Sequence, residues 1–382
     1  MDLSYTADEE NFRAEARAWL RAHVPDAPLP SLETEDGFAA HRAWEAELAA
    51  ARWSVVSWPE RYGGRDAGIF RWLAFEEEYY AAGAPGRVSQ NGINLLAPTL
   101  FDHGTEEQRA RVLPSMATGE TVWAQAWSEP EAGSDLASLT SRAVRTDGGW
   151  LLSGQKTWSS RAAFADRAFG IFRTDPAADR PHRGLTYLMF DLRAPGVTVR
   201  PIGRLDGKPA FAELFLDEVF VPDADVIGEP GQGWRIAMST TGNERGLMLR
   251  SPGRFLAAAD RLVRLWRATG EDPAVRDRVA DAVIGARAYQ LFTAGGAARF
   301  AAGGTIGAES SLNKVFWSRY DIALHETALD LLGAEGELDG DGEWGEGYVF
   351  SLAGPIYAGT NEIQRGGRRA RTRPSATGSP TR

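Results

Sequence analysis

Two short segments combine serine hydroxyls with a tryptophan in a way that suits the binding of a flat, ring-shaped ligand. The first, AQAWSEPEAGSD, runs from Ala124 to Asp135 and contains Ser128. The second, GQKTWSS, runs from Gly154 to Ser160 and contains Trp158. An indole offers a flat apolar surface, and serine hydroxyls both donate and accept hydrogen bonds. If the fold brings the segments together, they supply a stacking surface and polar contacts for the edge of a ring.

Each of these segments has a simpler interpretation when it is taken alone. Gly133 and Ser134 lie in a turn-rich stretch that is also typical of a linker between domains. Trp158 alone is more typical of a core aromatic at the end of a strand. The ligand-binding interpretation therefore depends on the two segments occurring together. In it, Gly133 and Ser134 let the backbone approach phosphate groups closely.

Two further segments carry groups that suit proton abstraction. TTGNERG has Glu244 directly before Arg245, and IYAGTNEIQR, from Ile356 to Arg365, contains a glycine turn next to an aromatic side chain. A desolvated carboxylate can remove a weakly acidic proton at which it is aimed. Taken alone, Glu244 is better explained as an exposed helix acid near a helix N-terminus, where the macrodipole favours negative charge. Arg245 alone would be a surface partner for a nearby acid.

The composition excludes several other kinds of site. The 382 residues include no cysteine, which rules out disulfides, thiolate zinc sites and cysteine nucleophiles. The five histidines are scattered, so we predict no metal site. A formal net charge of −10 argues against a nucleic-acid binder, which needs a basic surface. The N-terminus has early acids, and no run approaches about 18 apolar residues, so we predict no signal peptide and no membrane span and expect a cytoplasmic protein.

The elements that must position these segments fall into three parts. Residues 1 to 120 have helical periodicity, and residues 231 to 365 return to it. Between them, residues 121 to 230 form short runs rich in Val, Phe, Trp and Thr, bounded by Gly, Pro and Asp, which predicts β structure. Residues 366 to 382 are basic, lack large apolar side chains and are predicted to be disordered. We thus predict two helical domains around an all-β domain, followed by a tail.

Local signals refine this outline. Thr6 with Glu9, and Thr105 with Gln108, have the spacing of capping boxes at helix starts. Asp147-Gly148-Gly149 predicts a hairpin turn. In the final helical part, apolar periodicity predicts long helices of a bundle over residues 234–266, 273–300 and 310–332.

The motifs together resemble those of the acyl-CoA dehydrogenase family. AQAWSEPEAGSD is similar to its loop ending in (Thr/Ser)-Glu-Pro-x-Ala-Gly-Ser-Asp, GQKTWSS to G-x-K-x-W-(I/T)-(T/S), and IYAGTNEIQR to Y-(E/A/G)-G-T-x-(E/Q)-I-Q-R. The resemblance covers about residues 1 to 365. It implies an α+β multidomain fold with an N-terminal helical domain, a middle antiparallel β-barrel or sandwich and a C-terminal four-helix bundle.

The resemblance also implies a function and its partners. The expected reaction is the FAD-dependent dehydrogenation of an acyl thioester, carried on CoA or an acyl carrier protein, to the α,β-enoyl thioester. The expected electron acceptor is an electron-transfer flavoprotein, and the expected assembly is a homo-oligomer, a dimer or a tetramer. Such a protein positions and tunes its cofactor, while the cofactor carries out the redox step.

Roles for individual residues follow from the same resemblance. Ser160 would sit near the flavin N5 and Trp158 against the ring, while Gly333 and Gly336 would meet the FAD of a neighbouring subunit. The remaining flavin contacts would come from Trp127, Ser128, Gly133, Ser134, Thr360 and Glu362, and the substrate contacts from Ser134, Arg245, Tyr357 and Gly359.

The catalytic base is not at its commonest position. Many family members carry a glutamate between the Tyr and Gly of the last motif, where this chain has Ala358, which cannot act as a base. Some members, isovaleryl-CoA dehydrogenase among them, place it on a helix of the C-terminal domain directly before an arginine, which matches Glu244. We therefore assign the base to Glu244. The backbone N–H of Ala358 remains available to the thioester oxygen, where such donors stabilise the developing enolate.

Two departures from the family leave other functions open. The region WRATGEDPAVRDR lacks the Arg-x-x-Phe-Gly stretch of many members, and GGRRARTRPSA replaces an apolar final helix. A non-catalytic subunit of a hetero-oligomeric dehydrogenase is one alternative. An oxygen-using oxidase or monooxygenase on the same fold is another.

Overall fold

The computed structural model describes residues 5–245, 251–304, 309–338 and 342–371. Its N-terminal part contains five α-helices and a π-helical segment, Gly92–Leu96. Both predicted capping boxes are present, at Thr6 and Thr105. The α-helices are α1 (Ala7–His23), α2 (Glu35–Ala50), α3 (Ile69–Ala81), α4 (Ala97–His103) and α5 (Glu106–Ala117).

The middle part is a single, mostly antiparallel sheet. The predicted hairpin is confirmed, because Thr146 of β2 pairs with Gly149 of β3. The sheet order is β6-β7-β3-β2-β4-β5-β8, and β1 pairs in parallel with β4. The strands are β1 (Trp123–Ala126), β2 (Arg142–Thr146), β3 (Gly149–Ser160), β4 (Arg167–Arg173), β5 (Leu185–Asp191), β6 (Val197–Ile202), β7 (Phe211–Pro222) and β8 (Val226–Ile227).

The C-terminal part is helical again. Its helices α7, α8 and α9 pack on one another around a shared apolar core that includes Phe255, Tyr289 and Trp317. The helices are α6 (Gly233–Arg245), α7 (Pro252–Ala268), α8 (Arg276–Ala301), α9 (Glu309–Leu332), α10 (Ala334–Leu338), α11 (Glu343–Ser351) and α12 (Asn361–Arg371).

Two sequence predictions for this part differ from the structure. The predicted continuous helix over 234–266 is instead α6 and α7, because Ser251 caps α7 and Pro252 occupies its first turn. A proline disfavours helical geometry at the residue before it, so it starts a new helix here. Helix α12 also continues to Arg371, into the segment predicted to be disordered, and residues 372–382 lie outside the described residues.

The first and last parts pack tightly against each other. Helix α6 contacts α4 and the π-helical segment, and the buried hydroxyls of Thr99 and Thr240 are 2.6 Å apart. Gly253 of α7 lies so close to α3 that an added Cβ would be 2.6 Å from the Glu76 carbonyl oxygen. This junction sets the position of α6 relative to residues 90–95. Among the described residues there is no helix long and apolar enough to cross a membrane, and no cluster of potential metal ligands.

Candidate functional site

A cleft of about 380 Å³ lies where the three parts meet. Its walls come from the π-helical region near Gln90, the loop after β1, the end of β3 and the turn before α12. These segments are far apart in sequence, yet they bring together most of the residues predicted for the site. The predicted residues on its surface are Ser128, Gly133, Ser134, Trp158, Ser160, Tyr357, Ala358, Gly359 and Thr360.

A β-bulge presents Trp158 to this cleft. The pairing of β3 with β7 shifts register between Lys156 and Ser159, and Trp158 has a φ of 58°. Such a left-handed backbone is uncommon for a bulky residue and persists only where the surroundings impose it. The indole is 60% exposed and meets the Phe211 ring edge-on, with centroids 5.9 Å apart. The bulge thus leaves a flat aromatic surface available to a ligand.

Polar groups surround this surface. The hydroxyls of Ser128, Ser134 and Ser160 form no hydrogen bond with any other described residue, although all three line the cleft. Gly133 has open space where a Cβ would stand, so its backbone is accessible. Unpaired hydroxyls and open backbone beside an exposed indole suit a ring with a polar edge, such as a flavin.

The two motif loops are joined by a buried ion pair that the sequence analysis did not assign. The Lys156 ammonium donates to a carboxylate oxygen of Glu129 at 2.9 Å and to the Ile171 carbonyl at 2.8 Å. The Thr157 N–H donates to the Ser128 carbonyl at 2.9 Å. These bonds fix the loop carrying Ser128 against the strand that carries Trp158.

Glu129 is bound from several sides. Its carboxylate accepts the backbone N–H groups of Thr140 at 2.6 Å and Ser141 at 2.9 Å. Burial alone would raise the pKa of Glu129, but the Lys156 charge and these hydrogen bonds lower it to about 2. Burial lowers the pKa of Lys156 to about 8, against the opposing effect of Glu129. Glu129 and Lys156 both lie inside the quoted motifs. The sequence signal that could have revealed this ion pair was one acidic and one basic residue in two segments that were predicted to meet.

The turn before α12 forms the opposite wall. Ala358 has a φ of 55° and Gly359 one of 78°. The Gln364 side-chain amide donates to the Ala358 carbonyl at 2.9 Å, and the Asn361 N–H donates to the Pro355 carbonyl at 2.9 Å. The Ala358 N–H, by contrast, donates to no described residue. The hydrogen bonds that hold the turn are therefore accepted by its carbonyl oxygens, and the N–H of Ala358 remains available to a ligand.

Two charged residues on the cleft were not predicted. The Arg161 guanidinium donates to one carboxylate oxygen of Glu33 at 3.1 Å, and Arg161 itself has a φ of 56°. The other Glu33 oxygen is buried and has no partner among the described residues. Arg161 directly follows GQKTWSS, whereas no sequence signal connects Glu33 with the site.

The remaining predicted residues lie elsewhere. Trp127 is buried beside the Tyr187 ring, with centroids 6.0 Å apart, and its predicted contact with the cofactor stays a prediction. Glu362 is exposed on the first turn of α12. Gly333 and Gly336 lie at the junction of α9 and α10, and their contact with a neighbouring subunit stays a prediction.

The predicted base and its neighbouring arginine lie at the end of α6. Glu244 and Arg245 belong to the last turn of α6, but their side chains lie outside the described residues. The backbone of α6 packs on the π-helical segment, next to Asn91 and Leu95 on the cleft.

Comparison with known proteins gives a consistent result over the whole length. Models of the acyl-CoA dehydrogenase N-terminal, middle and C-terminal domains match residues 6–120, 124–219 and 231–370. The acyl-CoA dehydrogenase IpdE1 of Mycobacterium tuberculosis is 39% identical over 374 residues, which cover 94% of this chain and 95% of the relative.

Solved structures agree with the sequence relatives. A structure titled Tcur3481-Tcur3483 steroid ACAD matches with a TM-score of 0.84 and 28% identity, covering 96% of this chain and 97% of that one. The ChsE4-ChsE5 complex from Mycobacterium tuberculosis matches with a TM-score of 0.82 and 27% identity, covering 98% of this chain and 100% of that one.

Proposed function

The chain belongs to the acyl-CoA dehydrogenase family and is an FAD-dependent acyl-CoA dehydrogenase, and from this premise we propose that Glu244 removes the α-proton of an acyl thioester bound in the cleft. The observation that carries the proposal is the meeting of the separate motifs around one cleft with an exposed Trp158. The alternatives, a non-catalytic subunit and an oxygen-using enzyme, are not favoured by these relatives.

The reaction divides between base, donor and cofactor. Glu244 takes the α-proton. The FAD that Trp158 and Ser160 would hold in the cleft would supply the acceptor for the β-hydrogen, which leaves with its electron pair as a hydride. The N–H of Ala358 donates to the thioester carbonyl oxygen, on which negative charge develops as the proton leaves. The carbon skeleton loses two hydrogens and gains one double bond. In this proposal the cofactor contacts are Trp158, Ser128, Ser160, Ser134 and the open backbone at Gly133.

The position of α6 supports Glu244 as the base. The helix packs on the π-helical segment whose neighbours Asn91 and Leu95 line the cleft. Glu244 is in the last turn of α6. Ala358 supplies no carboxylate on the other wall, and the Glu33 carboxylate on the cleft is paired with Arg161, so we propose that the base comes from α6.

The function is tested by the visible spectrum of the purified protein under anaerobic conditions, before and after addition of acyl-CoAs. A yellow protein that one of them bleaches would support the dehydrogenase half-reaction. A yellow protein bleached by none would favour a carrier-protein substrate, which the same panel on acyl carrier protein would reveal. Colourless protein that cannot be reloaded with FAD would contradict the proposal.

The proposed electron acceptor is an electron-transfer flavoprotein. After reduction by substrate, the flavin should be reoxidised faster by an electron-transfer flavoprotein than by air-saturated buffer. Rapid reoxidation by oxygen alone, with release of hydrogen peroxide, would instead favour an oxidase.

Removal of the Ser160 hydroxyl should weaken FAD binding by about tenfold, since a hydrogen bond contributes roughly 0.5–1.5 kcal/mol. The dissociation constant of FAD can be measured by titrating the apoprotein of Ser160→Ala and following flavin fluorescence. Ser153→Ala is the matched control, because Ser153 lies on the same strand but outside the cleft. Equal affinities in the two variants would show that Ser160 does not contact the cofactor.

A homo-oligomer is proposed from an exposed apolar face on α8 and α9. Ile284, Leu291 and Phe292 of α8 and Leu312 and Phe316 of α9 are each at least 40% exposed. Phe292, Leu312 and Phe316 line a groove of about 280 Å³. Exposed apolar surface of this kind marks an interaction site, and a second copy of the chain is the proposed occupant.

Charge on this face should dissociate the oligomer. In Phe292→Asp/Phe316→Asp, light scattering after size-exclusion chromatography should give the mass of one chain, where the unaltered protein gives that of two or four. Phe220→Asp is the control, because Phe220 is 51% exposed on the middle domain. An unaltered protein that is monomeric would contradict the proposal.

A further inference from the structure

A second, small chamber lies directly behind the cleft. Its volume is about 40 Å³, enough for one small chemical group. Gln90 lines both cavities, so the chamber and the cleft lie next to each other on either side of this residue. Its other polar lining residues include Ser54, Ser57, Glu76 and Asn94. The chamber therefore combines these hydrogen-bonding groups with apolar and aromatic walls, among them Val55, Trp72 and Phe75.

The π-helical segment Gly92–Leu96 forms the partition between the two cavities. Ile93 and Asn94 face the chamber, whereas Asn91 and Leu95 face the cleft. π-Helical turns are rare and occur frequently at functional sites. Here the wider turn lets one short segment line the chamber on one side and the cleft on the other.

Glu76 is the only acidic side chain described on the chamber wall. It accepts a hydrogen bond from Ser251, the first described residue after α6. Burial raises the pKa of Glu76 to about 7, in spite of the nearby Arg87 charge. At neutral pH this carboxyl is therefore divided between its acid and its carboxylate, so it can either donate or accept a hydrogen bond.

Arg87 does not neutralise Glu76, because it has other partners. Its guanidinium donates to the Glu45 carboxylate at 2.8 Å and to the Ser54 carbonyl at 2.8 Å. Glu76 is thus a half-buried titratable group that neither the proposed mechanism nor the neighbouring ion pair uses.

A hydrocarbon end group would be poorly accommodated in this chamber. It would shield Gln90 and Asn94 from water and leave Glu76 with Ser251 as its hydrogen-bond partner, which costs free energy. A site built to hydrogen-bond a substrate oxygen rejects analogues that lack it much more strongly than an apolar pocket discriminates by size.

We propose that the chamber selects acyl thioesters whose acyl group carries an oxygen substituent, a ketone or a hydroxyl, at its inner end, and that Glu76 hydrogen-bonds to that oxygen. This inference rests on the proposed function, which puts the acyl group in the adjoining cleft. Glu76 donates to a ketone in its acid form and accepts from a hydroxyl in its carboxylate form.

The test compares plain acyl-CoAs of increasing chain length with counterparts that carry a terminal hydroxyl or a ketone near the end. With the unaltered protein, kcat/KM for flavin reduction should favour the oxygenated member by about tenfold or more at the matching length. Glu76→Leu should reduce this preference to about one, and Glu76→Gln should retain part of it because an amide still donates and accepts.

Glu77→Gln is the matched control, because Glu77 is the next residue of α3 but faces Arg13 and Gln290 rather than the chamber. It should leave the preference unchanged. Equal rates for plain and oxygenated chains at every length would overturn the inference and leave the proposed function intact. Failure of every acyl thioester to reduce the flavin would overturn the proposed function itself. A preference that survives in Glu76→Leu would assign the selection to other residues and overturn the role of Glu76.

Discussion

Glu244→Gln should slow the reduction of the flavin by an acyl-CoA by about 10²–10⁴-fold while FAD remains bound, because general-base catalysis contributes on this scale. Glutamine keeps the shape of the side chain but cannot take a proton. Anaerobic stopped-flow absorbance measures the rate, and the flavin spectrum before mixing measures occupancy. Both kcat and kcat/KM should fall together, since the interaction with the leaving proton forms only in the transition state.

The control for this variant is Glu229→Gln, which removes an exposed acid just before α6. It should reduce its flavin at the normal rate. A stronger test moves the carboxylate to the other wall, as Glu244→Gln/Ala358→Glu. The φ of 55° at Ala358 is a strain of about 1–2 kcal/mol that the alanine Cβ already bears. A glutamate there adds no new backbone strain, so part of the lost rate should return. A Glu244→Gln protein as fast as the unaltered one would exclude Glu244 as the base.

The parts of the site that were predictable from sequence are those encoded within short segments. Ser128, Trp158 and Ala358 each lie in a motif whose own residues form its turn or bulge, so identifying the motif identifies the surface. Capping boxes at Thr6 and Thr105 were predictable for the same reason, since the cap and its partner are three residues apart.

The parts that were not predictable depend on contacts between distant segments. Glu33 reaches the cleft from the loop between α1 and α2, and its partner Arg161 is 128 residues away. Trp127 stands next to a cleft residue but points into the core, because successive residues of an extended chain face opposite sides. The sequence did contain a local signal for the break before Pro252, namely the proline itself. The apolar periodicity on both sides nevertheless favoured one continuous helix.

Backbone strain adds a second line of support for the site. Trp158, Arg161 and Ala358 have left-handed φ values of 58°, 56° and 55°, and all three line the same cleft. Such conformations cost free energy and concentrate at functional sites, where neighbouring structure maintains them. In this chain the maintaining structure includes Gln364, which donates to the Ala358 carbonyl, and the Glu129–Lys156 pair, whose lysine lies two residues before Trp158 on β3.

Lys156→Met should lower the free energy of unfolding by about 3–5 kcal/mol, because it leaves the Glu129 charge buried without its partner. The Lys156 side chain is fully buried and that of Glu129 is 5% exposed, so solvent cannot compensate. On the scale of roughly 2–4 °C per kcal/mol, the melting temperature should fall by about 10 °C. Purified protein should also contain less FAD, since the loop of Ser128 is no longer fixed to β3. Differential scanning calorimetry and the ratio of flavin to protein absorbance measure the two effects.

Two companion variants separate the ion pair from a general loss of packing. Lys156→Met/Glu129→Gln should recover much of the stability, because no buried charge remains. Arg200→Met removes a partner of Glu213 in the same domain, where the Arg200 side chain is 64% exposed, and should cost less than about 1 kcal/mol. If the double variant is no more stable than Lys156→Met, the loss came from packing and not from the unpaired charge.

The contribution of the Glu129–Lys156 pair to the free energy of unfolding should depend on pH. The pKa of Glu129 is about 2 in the folded protein, below the ordinary glutamate value of about 4.3. Its stabilising contribution is therefore complete above about pH 4.3 and is lost as the pH falls toward 2. Glu129→Gln cannot titrate, so the stability difference between the unaltered protein and this variant should narrow over that range. A difference independent of pH would mean that the Glu129 carboxylate titrates alike in the folded and unfolded chains, and that the pair does not hold the two motif loops through its charge.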